Sequence, residues 1–215
     1  MISCIHKTAM SLNPRKTVLL VCDVQERFRS AIYGFEPLTA SICKLVKASQ
    51  VLGISNYVTE QNPRALGPTV QEITSLLDES PDEKLNLGRF SKTKFSMITD
   101  EIFEDDIGLP RYKNFILTGI ESHICITQTA LDALKITEAE NIYIPVDAVS
   151  SCNKEEVPIA LDNLRQRGVQ ITTSESLLYR LLGDADHPQF KYIAKLVREE
   201  KQNTAEALQT LAAVL

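Results

Sequence analysis

Apolar residues along this chain fall into two alternating periods. Thr17–Cys22 (TVLLVC) is a continuous apolar run of strand length that ends at Asp23. A run without polar alternation predicts a strand covered on both faces, as in a parallel sheet. Over 37–52, Leu38, Ile42, Leu45, Val46 and Leu52 recur at helical spacing, with Gly53 just past the end. Ile54–Thr59 predicts a second strand, and Pro68–Leu77 a helix with proline in its first turn. The stretch 79–110 is polar and irregular; Leu85, Leu87 and Phe90 suggest a short strand within it. Asn114–Gly119 and Asn141–Val146 predict further buried strands, and Val169–Thr173 a last one. Helical stripes cover 122–136, 153–167, 174–182 and 190–215.

Strand followed by helix, repeated five or six times, implies right-handed crossovers and a parallel sheet. The expected architecture is α/β, a Rossmann-like three-layer α/β/α sandwich with a mostly parallel sheet of about six strands. In such sheets ligands bind beyond the carboxyl ends of the strands. Asp23, Glu60, Gly119 to Cys125 and Asp147 stand at those ends.

Length and composition narrow the picture. A chain of 215 residues suits one domain and buries enough core to fold without disulfides or structural metal. The net charge of −5, with lysines and arginines scattered, disfavours nucleic acid as a partner. No apolar stretch approaches the ~20 residues of a membrane helix, so no membrane partner is expected. Five cysteines (4, 22, 43, 125 and 152) without a C-x-x-C fit reduced thiols in an intracellular compartment. Residues 1–16 carry Lys7, Arg15 and Lys16 and no acid, a faint likeness to a mitochondrial presequence. The expectation is a cytoplasmic protein with a flexible segment 1–15, mitochondrial destination being the lesser alternative.

Candidate chemistry concentrates at three places. Asp23 closes a buried strand, where a carboxylate is costly without a partner or a task; capping the next turn is the plainer alternative. Gly119–Cys125 runs from a buried strand into a helix and sets Cys125 in the first helical turn. There the electropositive terminus favours a thiolate and offers backbone N–H groups to an oxyanion. A buried cysteine acting as a small hydrophobe is the competing reading. His123 lies two residues away, off the face of Cys125. With three histidines and no metal-ligand spacing, no metal and no cofactor are expected. Lys92 and Lys94, taken alone, read as solvated loop charges.

These segments together resemble the isochorismatase-like cysteine hydrolases. LLVCDVQERF (19–28) is similar to the family's first-strand motif. SKTKFSM (91–97) is similar to its lysine motif, and LTGIESHICITQTALDAL (117–134) to its nucleophile segment. VTEQNPRALGPTV (58–70) and PVDAVSS (145–151) also fit, the former pointing to the eukaryotic isochorismatase domain-containing proteins. The resemblance implies a triad of Asp23, Lys92 and Cys125. It also implies a non-proline cis peptide between Ile120 and Glu121, with oxyanion contacts there and at Cys125. The metal ligands of nicotinamidases have no counterpart, and Cys125 argues against isochorismate as substrate.

The expectation is thus a hydrolase domain over 16–185, acting through a cysteine thioester on a small amide or related acyl compound. Gln25, Phe28, Glu60, Gln61 and Ser122 are the residues expected to shape the substrate pocket. The alternative is a fold-bearing scaffold without turnover; a nuclease is a third reading, weakened by the acidic balance. The helical extension 186–215 is rich in apolar residues and is expected to pack on the domain or on a neighbouring subunit. That excess predicts a homo-oligomer, dimer or larger.

Overall fold

A computed structural model describes residues 12–99, 108–136 and 139–212. Seven parallel strands form one sheet: β1 Thr17–Cys22, β2 Ser55–Gln61, β3 Asn86–Lys92, β4 Asn114–Ile120, β5 Asn141–Pro145, β6 Val149–Ser150 and β7 Gln170–Thr172. Their order is β3-β2-β1-β4-β5-β7, with the two-residue β6 joined to β4. The order reverses between β1 and β4, which opens a crevice at their carboxyl ends.

The helices are α1 Phe35–Leu52, α2 Pro63–Leu66, α3 Gln71–Asp78, α4 Thr127–Ala133, α5 Glu156–Gln166, α6 Ser174–Leu182, α7 Phe190–Glu199 and α8 Lys201–Ala207. Strand periodicity sorts the central strands into two cores. Leu19, Val21, Val58 and Ile116 face α1, α3, α6 and the C-terminal helices. Val18, Leu20, Cys22, Phe115 and Leu117 face α4 and α5, on the same side as Cys125. Both central strands are buried along their whole length, the reason their sequences lack polar alternation.

Several elements depart from the sequence expectation. Helix α1 begins at Phe35, and Pro37 sits in its first turn, where a missing N–H costs nothing. Gly53 closes it at φ 70° and returns its N–H to the Ser49 carbonyl. The helix expected from Pro68 starts instead at Gln71. The chain at 68–70 is extended because Thr69 bridges to Gln25 and the Val70 N–H reaches the Val24 carbonyl at 3.0 Å. The single C-terminal helix is broken at Glu200.

The C-terminal segment packs on its own domain: Ile193, Ala207 and Leu211 are buried in the α1-side core. These three residues therefore have an intramolecular partner, while Tyr192 of the same segment is exposed. Of the N-terminal segment, residues 1–11 lie outside the described residues. Leu12 is buried in the core, and Asn13 accepts the Arg15 N–H at the head of a short 3-10 turn, Pro14–Lys16. Among the described residues no helix is long and apolar enough to cross a membrane.

Candidate active site

Asp23 follows β1 directly, and its φ of 53° is left-handed, an uncommon state for a residue with a side chain. Its backbone N–H bonds to the Thr59 carbonyl at 3.1 Å, and its Oδ1 accepts the Thr59 hydroxyl at 2.8 Å. The turn thereby aims the carboxylate across the sheet end. Neighbouring Gly119, on β4, has φ 109°, and a Cβ there would lie 2.1 Å from the Cys22 carbonyl oxygen. Only glycine lets the two strands approach this closely at the crevice.

Lys92 is the last residue of β3, two strands away from β1. The sequence suggested a loop here because β3 is an edge strand, half-exposed and polar along most of its length. The Lys92 side chain is buried and crosses β2 to reach the crevice. Its Nζ donates to Asp23 Oδ2 at 2.7 Å, to Gln61 Oε1 at 2.8 Å, and to the carbonyls of Phe95 and Lys94 at 3.0 and 3.2 Å. Cys125 Sγ lies 3.8 Å from it. Burial, the largest single influence, works against the ammonium charge. The groups around it, Cys22, Asp23 and Cys125, outweigh that influence and raise the lysine above its ordinary range.

Cys125 lies in a wide π-turn, Ser122–Ile126, between β4 and α4. It is 7% exposed, and the Thr129 hydroxyl donates to its carbonyl at 2.6 Å. The peptide bond between Ile120 and Glu121 is cis. Three segments far apart in sequence thus bring Asp23, Lys92 and Cys125 together in one buried cluster.

The five residues expected to shape a pocket make the following contacts. Gln25 is fully buried; its Nε2 donates to the Gly67 and Gln61 carbonyls, and its Oε1 accepts the Gln61 N–H. Glu60 Oε1 accepts both the N–H and the hydroxyl of Thr69. Gln61 holds the Lys92 ammonium and donates to the Thr93 carbonyl. Ser122 donates to the Ser150 carbonyl, and Phe28 packs on the α1-side core. A cavity of about 700 Å³ opens beside Lys92, lined by Asn62, Pro63, Arg64, Ser91, Thr93, Lys94 and Thr99. Sequence reasoning passed over these residues. Arg64 and Lys94 read as ordinary surface charge until β3 is known to end at the crevice.

Cys22 Sγ, a carboxylate oxygen of Asp23 and Cys125 Sγ lie within 4.8 Å of one another, a donor set of the kind that holds soft metals. The Lys92 ammonium already occupies that carboxylate, placing positive charge where a cation would bind.

A parallel α/β sheet flanked by helices, with a buried Asp–Lys–Cys cluster at its switch point, defines a Rossmann-like α/β fold. The isochorismatase domain family model matches residues 17–176, and the chain belongs to the isochorismatase family, whose members are hydrolases. It is 38% identical to isochorismatase domain-containing protein 2 of Xenopus laevis, over 87% of this chain and 86% of the relative. Among solved structures, the MAR1 ribonuclease of Caenorhabditis elegans is 37% identical with a TM-score of 0.79, covering 88% of this chain and 93% of that one. The YcaC gene product of Escherichia coli, an octameric hydrolase of unknown specificity, shares the fold at 17% identity. Its TM-score is 0.76, over 96% of this chain and 98% of that one.

Proposed function

We propose that the protein hydrolyses a small amide or related acyl compound through a thioester on Cys125. The observation that carries this reading is the Lys92 ammonium, buried between the Asp23 carboxylate at 2.7 Å and the Cys125 sulfur at 3.8 Å. Such a charge stabilises a thiolate, and the Asp23 carboxylate takes the thiol proton. The thiolate attacks the acyl carbon, and backbone N–H groups of Glu121 and Cys125 receive the oxyanion. Asp23 then protonates the departing amine or ammonia. A water that gives its proton to Asp23 attacks the thioester and releases the acid. Gln61 and the carbonyls of Lys94 and Phe95 fix the lysine while this happens.

The cavity bears on the substrate. Lys92, Arg64 and Lys94 line it; Lys92 is paired with Asp23 and Lys94 lies 3.2 Å from Asp132, which leaves Arg64 as the lining cation with no ion pair among the described residues. That guanidinium favours a substrate with an anionic group remote from the scissile bond. The cavity's volume suits a small metabolite.

Ammonia or amine release from a panel of small carboxylated and neutral amides tests the reading. Wild type is expected to turn over at least one carboxylated amide, and Cys125→Ser none. Mass spectrometry is expected to trap the acyl group on the peptide containing Cys125. An acyl group found on another residue, or equal turnover by Cys125→Ser, refutes the thioester.

A second reading, hydrolysis of an RNA phosphodiester, has the relative called a ribonuclease and the Arg64 guanidinium at the cavity in its favour. Cleavage of a short labelled RNA that survives in Cys125→Ser but is lost in Arg64→Glu would favour it over the amidase.

A further inference from the structure

Hydrolysis through Cys125 leaves one nucleophile of the cluster unused. Cys22 ends β1 on the same face of the sheet as Cys125. It is fully buried, whereas Cys125 keeps an opening to solvent. Its thiol donates to Asp23 Oδ2 at 3.5 Å. The two sulfurs are within 4.8 Å of each other. A disulfide needs about 2.05 Å, so the sulfurs must close by less than about 3 Å, the scale of a side-chain rotation.

We propose that Cys22 and Cys125 form an oxidation site in which a hydroperoxide attacks Cys125 and Cys22 resolves the product as an intramolecular disulfide. The Cys125 thiolate takes the terminal peroxide oxygen, the O–O bond breaks, and water or an alcohol departs, leaving a sulfenic acid. The Cys22 sulfur then attacks the Cys125 sulfur. The S–S bond forms, the S–O bond breaks, and the Cys22 proton leaves with the hydroxide as water. Asp23 Oδ2 is the group placed to relay that proton.

The division of labour follows from position. Cys125, partly open and beside the Lys92 ammonium, is the sulfur an oxidant meets. Cys22 is shielded, and burial, the adjacent Cys125 and the charge of Asp23 push its thiol up. Burial keeps it from the oxidant, and it becomes a nucleophile toward its oxidised neighbour as its proton passes to Asp23. The disulfide consumes the proposed nucleophile and silences hydrolysis reversibly. The other described cysteines lack this relation: Cys43 packs on the α1-side core, and Cys152 is exposed.

The test treats the reduced full-length protein with a few equivalents of hydrogen peroxide at neutral pH, blocks free thiols, and maps the cysteines by mass spectrometry. Trypsin releases Cys22 in peptide 17–27 and Cys125 in peptide 114–135. The expected product is these two peptides cross-linked, about 2 Da lighter than their sum, and separated again by dithiothreitol. In Cys22→Ser, Cys125 is expected to gain about 32 Da as a sulfinic acid that dithiothreitol does not reverse. Peptide 17–27 fully blocked while 114–135 of the wild type carries the sulfinic acid overturns the proposal. So does a cross-link of Cys125 to Cys4, Cys43 or Cys152. The wild-type map stands without the variant should Cys22→Ser fold poorly. No turnover is read, so an inactive protein that forms the link refutes only the hydrolase, and an active one that does not form it refutes only the oxidation site.

Discussion

Among the described residues two buried lysine–aspartate pairs are built to opposite ends. Lys92 meets Asp23 at 2.7 Å, shares its ammonium among four oxygens, and still faces the Cys125 sulfur and a cavity. Lys44, on α1, stands 3.9 Å from Asp147 and donates to the Thr204 hydroxyl at 2.7 Å. Asp147 is otherwise satisfied by Ser174, through both its N–H and its hydroxyl. That second network ties α1, the end of β5, α6 and α8 to one another and has no nucleophile in it. The surroundings push the two lysines in opposite directions. Burial lowers Lys44 more than Asp147 restores it, while the cluster around Lys92 overcomes burial and raises it. A buried ion pair is thus no sign of function by itself; what separates these two is an unspent neighbour and an opening.

Substitutions should divide along the same line. The largest effect is expected in the first cluster: Lys92→Met should lower kcat/KM for an amide substrate by roughly 10³-fold, as loss of a group acting as a unit does. Lys44→Met should leave kcat within about threefold, since the Lys44 network does not touch the reacting atoms. A kcat loss of similar size in both variants would erase the distinction.

Stability is expected to respond the other way. Lys44→Met strands the Asp147 charge and should cost about 3 kcal/mol in denaturant unfolding, the scale for breaking a buried pair. Reversal to within about 1 kcal/mol by the double variant Lys44→Met, Asp147→Asn would show that the stranded charge is the cause.

Alkaline pH separates the pairs more finely. A lysine lowered in the native state loses its proton there first, so between its native value and 10.5 the unfolded chain holds more protons. Stability attributable to Lys44 should therefore rise with pH in that window. Lys92 is raised, so its contribution is constant below 10.5 and is lost only as pH climbs through its native value above that. Unfolding curves from pH 8 to 10.5 should show the wild type gaining on Lys44→Met and keeping a constant difference from Lys92→Met.

The smallest effect concerns the rim. Arg64→Ala should raise KM for a carboxylated amide about tenfold with kcat unchanged, the worth of one charge-assisted contact. A neutral amide should not distinguish the variants. If both amides lose equally, Arg64 supports the loop and reads no anion.

What the sequence disclosed follows the same physics. Continuous apolar runs mark β1 and β4 because both faces are buried, and those strands lead directly to Asp23 and Cys125. Lys92 was legible by resemblance alone. Its strand lies at the sheet edge, half polar, and its receivers at 94 and 95 are carbonyls, which every residue carries. Gln25 and Glu60 stand near the site but spend their polar atoms on the loop from Gln61 to Thr69, a pairing that depends on backbone geometry. The second pair was half visible: Asp147 stands at a strand end, but nothing in the helical stripe of α1 marks Lys44 as buried.

The position of Lys92 on the edge strand has a consequence for partial unfolding. β3 pairs only with β2, most of its residues touch solvent, and its lysine is 69 residues from Asp23 and 33 from Cys125. Edge elements of this kind open at free energies well below that of the whole domain. Such an opening would withdraw the ammonium while β1 and β4 still hold Asp23 and Cys125 in place. Mild denaturant would then extinguish turnover before circular dichroism records any loss of the sheet, and amide exchange would be fastest along Asn86–Lys92. The protein would be switched off by the fraying of a single strand.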